Sequence, residues 1–252
     1  ASIYFGIVSS GAVIVPLDPQ TTPEGLQNIL EDAGPVLLFT SSSLLPKINQ
    51  IKKDTIRQVV CIDARQDLFT PENITFARDR DVKPSDMACL LYTSGTTDVP
   101  KGVILTHQNL CANIDSIAQI GIFSAKDKAI SILPFHHSFP LMMNLLVPVF
   151  FGGTIVMPAH LRSETILQTL TKTGVTIFGL VPQLLSLFHK AMVERIRAQG
   201  SGYRIVFGIF MKISWFFYAC FRVQIGKFLF RPMHERFGIQ LRYFVCGGAR
   251  LD

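Results

Sequence analysis

Residues 90 to 107, Leu-Leu-Tyr-Thr-Ser-Gly-Thr-Thr-Asp-Val-Pro-Lys-Gly-Val-Ile-Leu-Thr-His, combine an apolar run, a hydroxyl-rich glycine turn and one lysine. Thr93, Ser94, Thr96 and Thr97 flank Gly95, which is free to take a positive φ. Such a turn offers backbone N–H groups and hydroxyls together, and Lys101 adds a mobile positive charge. This is chemistry for holding a polyphosphate, with Thr93 the expected metal contact. The Walker arrangement does not fit, because Lys101 is followed by Gly102 and then by the apolar run Val103-Ile-Leu instead of a Ser/Thr opening a helix. A plain Ser/Thr/Gly loop between two strands remains the alternative for the short Ser-Gly-Thr-Thr piece; the full string argues against it.

His136 and His137 are the next reactive groups. They lie in an uncharged stretch from Ala129 to Leu161 that shows no neighbouring acid. A histidine in such a run is more often packing than chemistry, and His136 is read that way. The stretch is long enough to cross a bilayer, but Pro134, Pro140, Pro148, Gly152-Gly153 and Pro158 break a continuous helix, so buried core is expected. Five cysteines (Cys61, Cys89, Cys111, Cys220, Cys246) have no paired spacing, which suggests neither a zinc site nor a disulfide framework and fits a reducing compartment. The Asn73-Ile-Thr75 glycosylation pattern is read as chance.

The elements that must position these groups alternate strand and helix. Strands are expected at Ala12 to Leu17, Val36 to Phe39, Gln58 to Ile62, Met87 to Tyr92, Ala129 to Leu133, Thr154 to Met157 and Val175 to Leu180. Helices are expected at Pro23 to Asp32, Leu44 to Lys53, Gln108 to Ala118, Glu164 to Lys172 and Gln183 to Ala198. Thr22 before Pro23-Glu24 marks a helix start and Gly34 its stop. Alternation of this kind predicts an α/β fold of parallel sheets flanked by helices. The polar loop Ala64 to Ser85 is expected to part a first sheet segment, residues 1–84, from a second, residues 85–252.

Charge is concentrated in one place. From Ile196 to His234 there are six basic residues and no acidic one, so this stretch carries the whole formal net charge of +6. Within it, Tyr203 to Phe230 holds ten of the 26 aromatic residues. Its longest uncharged run, Ile213 to Phe221, is too short to span a bilayer. An aromatic, basic segment suits an anionic membrane interface, with core helices whose lysines reach to solvent as the alternative. Nucleic acid is disfavoured because large hydrophobes space the cations.

Tyr92-Thr-Ser-Gly-Thr-Thr-Asp-Val-Pro-Lys-Gly-Val-Ile-Leu-Thr-His107 resembles the AMP-binding signature of adenylate-forming enzymes, the superfamily of acyl-CoA synthetases, luciferases and peptide-synthetase adenylation domains. Leu133-Pro-Phe-His-His-Ser-Phe-Pro-Leu141 is similar to the family's Leu-Pro-x-x-His segment, and Phe244-Val-Cys-Gly-Gly-Ala-Arg-Leu251 to its Gly-Gly-Ala segment. Upstream, Gly11-Ala-Val-Ile-Val-Pro-Leu-Asp18 with Leu26, Leu30 and Leu37 resembles the stretch that precedes the signature. One departure stands inside it: the family usually has glycine where this chain has Asp98, a carboxylate beside the expected triphosphate.

The resemblance implies a partial N-terminal domain of a long-chain fatty acyl-CoA synthetase, using ATP, Mg²⁺ and CoA at the cytoplasmic face of a membrane. The Thr93 to Thr97 loop with Lys101 would hold the phosphates. His137 would orient the carboxylate being activated, and Gly247, Gly248 and Ala249 would let adenine and acyl chain pass close to backbone. The helix beginning Pro182-Gln183-Leu184-Leu185 would line the acyl tunnel or pack as plain core. A fatty acyl-AMP ligase, an acyl-carrier-protein synthetase or a non-catalytic membrane-associating remnant are the alternatives. Because no Tyr-Gly-x-Thr-Glu segment or C-terminal domain follows Gly-Gly-Ala, the chain is expected to be truncated and without complete turnover alone.

Overall fold

Residues 1–52, 54–64, 81–93 and 100–250 are described by the computed structural model. They form two compact units: Ala1–Gln119 with Pro134–Leu141, and Ile120–Leu133 with Met142–Asp252.

The first unit contains α1 (Ser2–Ser9), α2 (Pro23–Ala33), β1 (Leu37–Thr40), α3 (Leu45–Ile48), β2 (Gln58–Cys61), β3 (Met87–Thr93), β4 (Lys101–Thr106), α4 (His107–Ile120, whose last residue falls in the second unit) and α5 (Ser138–Leu141). Local sequence explains α2 well. The Thr22 side chain accepts a hydrogen bond from Gly25 N at 3.1 Å, Pro23 occupies the first turn, and Gly34 ends the helix at φ 56°. Leu26 and Leu30 on its inner face bury against Leu38, Ile48 and Ile51. β1 and β2 pair in parallel.

Two expectations change here. Ala12 to Leu17 forms one bridge, not a strand: Ile14 N donates to Ala88 O at 3.1 Å and Leu90 N to Ile14 O at 2.9 Å. The next rung of a parallel ladder would need an N–H from Pro16, which has none. Parallel pairing is also not universal, since β3 and β4 form an antiparallel hairpin.

The second unit contains β5 (Lys128–Ile130), α6 (Val147–Phe150), β6 (Thr154–Val156), α7 (Ser163–Thr173), β7 (Ile177–Leu180), α8 (Pro182–Ala198), α9 (Ser201–Phe221), α10 (Gly226–Leu229), α11 (Arg231–Phe237) and β8 (Tyr243–Cys246). Its four strands make a parallel sheet in the order β6-β5-β7-β8. Ile130, Phe178 and Leu180 bury against Ile166 and Leu170 of α7, with Leu184, Leu185 and Phe188 of α8 at the margin. The opening residues of α8 therefore pack on core. Fully buried Phe178 reads as a continuous apolar strand, as a parallel sheet covered by helices requires.

The uncharged stretch is buried only in part, at residues 129–131 and 140–148, while Phe150, Met157 and Leu161 are exposed, and its prolines do not break it. Helical turns run from Ser138 to Phe150, with a π-helical segment at Met142–Leu146 just before Pro148. The ring of Pro148 cannot accept the ordinary α pattern with residue 144, and the wider turn relieves that clash. At 13 residues this apolar run is about 20 Å long, too short to span a bilayer.

The basic aromatic segment also differs from its reading. Ser201–Phe221 is one uninterrupted helix with no buried residue, long and apolar enough by length and composition to cross a membrane. It is not a core helix.

Candidate functional site

Thr93 and Lys101 are register partners at the open end of the β3–β4 ladder. Directly opposed residues of an antiparallel pair hold their Cβ atoms about 5 Å apart, so hydroxyl and ammonium project from one place. Lys101 is exposed and makes no ion pair with any described residue. The pair is anchored from below. Tyr92 lies opposite Gly102, where an added Cβ would come within 3.2 Å of the tyrosine ring, so a larger residue would push the ring away. Tyr92 Oη donates to Asp32 Oδ2 at 2.5 Å, tying the hairpin to the end of α2. Burial, reinforced by the Asp32 bond and charge, raises this phenol above its ordinary range and keeps it a donor. The expected loop residues Ser94, Gly95, Thr96 and Thr97, and the departure Asp98, lie outside the described residues.

His136 and His137 stand with ring centroids 4.2 Å apart, just before α5. His137 is exposed, and its carbonyl accepts from Leu141 N at 3.0 Å at the start of that helix. The sequence shows no acid for this pair, yet Asp18 Oδ2 lies 3.7 Å from His136 Nε2. Burial and the neighbouring His137 push the His136 imidazole down, and Asp18 only partly opposes them. His136 is therefore held toward its neutral form. Asp18 and Asp32 are the residues sequence reasoning missed. Asp18 had one available signal, its place in the Pro-Leu-Asp-Pro turn inside the upstream family-like segment.

In the second unit, Gly247, Gly248 and Ala249 follow β8 directly. Gly247 N donates to Leu180 O at 3.3 Å, and Gly248 takes φ 84° with its open side 3.7 Å from Val181 Cγ1. A side chain at Gly248 would be strained by backbone conformation alone. These residues thus gather at the carboxyl end of β7, where α8 begins. In the strand order, β5 connects outward to β6 and the chain returns across it to β7, making a switch point at the carboxyl ends of β5 and β7. Crevices at such points are the usual ligand positions of open parallel sheets. Thr93, Lys101 and His137 belong to the first unit and Gly247 to Ala249 to the second.

A family model described as AMP-binding enzyme matches residues 1–252, and the chain belongs to that family. It is 28% identical over 191 residues to sulfoacetate–CoA ligase of Cupriavidus necator, covering 74% of this chain and 38% of that protein. It is 29% identical over 186 residues to long-chain-fatty-acid–CoA ligase of Salmonella typhimurium, covering 59% and 33%. The N-terminal domain of FACL13 from Mycobacterium tuberculosis aligns with TM-score 0.71 at 21% identity, over 99% of this chain and 54% of that one, a likeness of fold. The chain thus spans less than two-fifths of the length of these curated relatives.

Proposed function

We propose that this chain holds ATP by its phosphates at the β3–β4 hairpin end and serves ATP-dependent activation of a long-chain fatty acid for transfer to CoA. The observation that carries the reading is the direct pairing of Thr93 with Lys101 on either side of the signature loop. A carboxylate cannot expel oxide, so it must first be given a better leaving group. Its oxygen attacks the α-phosphorus of ATP, the bond to pyrophosphate breaks, and an acyl adenylate results. The CoA thiol then attacks the acyl carbon, loses its proton and releases AMP.

The first step brings two anions together, and residues supply the compensating charge and donors. Lys101 neutralises the triphosphate, Thr93 to Thr97 donate to its oxygens, and His137 orients the incoming carboxylate. Gly247, Gly248 and Ala249 leave room for adenine and the acyl chain. Among the described residues no cluster of three or more His, Cys, Asp or Glu could hold a metal by itself. Mg²⁺ bound chiefly through phosphate oxygens needs few protein ligands, and the Thr93 hydroxyl suits that mode. When bound, Mg²⁺ would add charge neutralisation at the phosphates. The preference for a long acyl chain draws support from the exposed apolar helix α9, which suits work beside lipid at the cytoplasmic face of a membrane.

The test is ATP–pyrophosphate exchange by the protein that carries this chain. Exchange should depend on palmitate, and Lys101→Ala should lower it about 100-fold. Faster exchange with sulfoacetate or acetate than with palmitate would overturn the acyl preference. Unchanged exchange in Lys101→Ala would overturn the phosphate site, and absence of exchange with every carboxylate would favour a non-catalytic protein.

A further inference from the structure

We infer that α9 docks lengthwise in the interface of a bilayer containing anionic lipid, lying in its plane and not crossing it. The inner side of the helix is occupied. Phe207 and Phe210 pack on Phe230 with centroids 5.1 and 6.4 Å apart, and Ser214 faces Gly226, where an added Cβ would fall 2.5 Å from its hydroxyl. Tyr203 lines a cavity of about 240 Å³ with Phe188, Met192 and Ile196 of α8. At 100° per residue these positions cluster on one side.

The opposite side carries Ile205, Ile209, Trp215 and Phe216, of which Trp215 is 72% and Ile205 65% exposed. Lys212 stands on that side among them, and Arg204, eight residues or about 12 Å away, stands on its flank about 80° round the helix. Arg222 ends the helix with its guanidinium 5.6 Å from the Tyr218 ring centroid. No acidic residue occurs between Ile196 and His234. An apolar, aromatic face edged by uncompensated cations complements negative headgroups over acyl chains.

Lys212 decides the orientation. It is the twelfth of 21 residues, so a spanning helix would carry its ammonium to the middle of a hydrocarbon layer about 30 Å thick. Its stem cannot reach either headgroup layer from there. Lying in plane, the helix lets Lys212 reach the headgroups from beside Phe216 and Ile209 as these enter the acyl boundary, while Arg204 and Arg222, which share one side about 80° further round, stand nearer the water.

Trp215 is the only tryptophan of the chain and reports directly on this surface. The purified 252-residue chain, mixed with vesicles of phosphatidylcholine with or without phosphatidylserine, should co-sediment and shift its emission to the blue only with the anionic lipid, and less so at high salt. Bromines placed shallow in the acyl chains should quench Trp215 more than bromines placed deep. The double variant Arg204→Glu, Lys212→Glu, at exposed positions, should keep its circular dichroism and lose about 30-fold in partitioning. Stronger deep quenching would mean a crossing helix. Equal binding of variant and parent, or equal binding to both lipids, would remove the electrostatic basis. Dimerisation with a blue-shifted Trp215 in the absence of lipid would assign the face to a second copy. The inference rests on α9 and not on the adenylation reading: Lys101→Ala should bind vesicles like the parent, and the double variant should bind Mg-ATP like the parent.

Discussion

Asn144 is 1% exposed, and neither its Nδ2 nor its Oδ1 has a hydrogen-bond partner among the described residues. It lies in the π-helical turn against Gly179 of β7, where an added Cβ would fall 2.6 Å from its Oδ1. Gly179→Ala is therefore expected to destabilise by about 2 kcal/mol, read as a lower urea midpoint at unchanged slope. Asn144→Leu replaces a buried amide with an apolar side chain of similar size and should be neutral or stabilising. A loss above about 1 kcal/mol would reveal a partner for that amide. For the proposed phosphate site, Asp98 is expected to act on binding. A carboxylate near phosphate at surface dielectric opposes binding by about 1 kcal/mol, so Asp98→Gly should tighten Mg-ATP about fivefold in a thermal-shift titration. Equal midpoints would show the carboxylate to be harmless.

At the scale of elements, the parallel sheet is tied at the amino ends of its strands by Asp127, which is 2% exposed. Its carboxylate accepts from Ser124 N and Oγ at 2.8 and 2.7 Å, Thr176 Oγ1 at 2.7 Å and Arg242 Nη1 at 3.0 Å, while its carbonyl accepts from Thr154 N at 2.9 Å. β5, β6, β7 and β8 thus meet at one residue, at the end of the sheet opposite to Gly247. Burial pushes this carboxyl up, but the Thr176 and Ser124 hydrogen bonds and the Arg242 charge together outweigh it and leave it below the usual range. A lowered folded value contributes stability that is complete above the ordinary carboxylate value of about 4 and is lost as pH falls through the lowered value. Asp127→Asn should cost about 3 kcal/mol at pH 7, with half-exposed Arg242 contributing less than a buried cation would. The difference between variant and parent should shrink only below about pH 4. A constant difference down to the acid transition would mean that the charge contributes nothing.

For the whole molecule, two compact units predict two unfolding transitions by calorimetry, of which Asp127→Asn lowers one. A single transition that moves as a whole would show that the units unfold together. The family was legible because the signature, the Leu-Pro-x-x-His segment and the Gly-Gly-Ala segment are contiguous runs, in the order the family uses. Helix α2 was equally legible, since Thr22, Pro23 and Gly34 act on their own backbone. The failed strand at Ala12 to Leu17 was decided by which partner needed the missing N–H of Pro16.

What the sequence determined by itself was therefore short-range: caps, apolar periods, the phosphate-loop residue set and a basic aromatic stretch with no acid. Only the tertiary structure decided which distant groups meet, such as Tyr92 with Asp32 and His136 with Asp18, because those contacts depend on chain reversals that no local pattern encodes. It likewise decided that α9 packs along one side only and buries none of its residues. Burial is a property of neighbours, and a helix apolar on nearly every side looks the same in sequence whether its partner is protein or lipid.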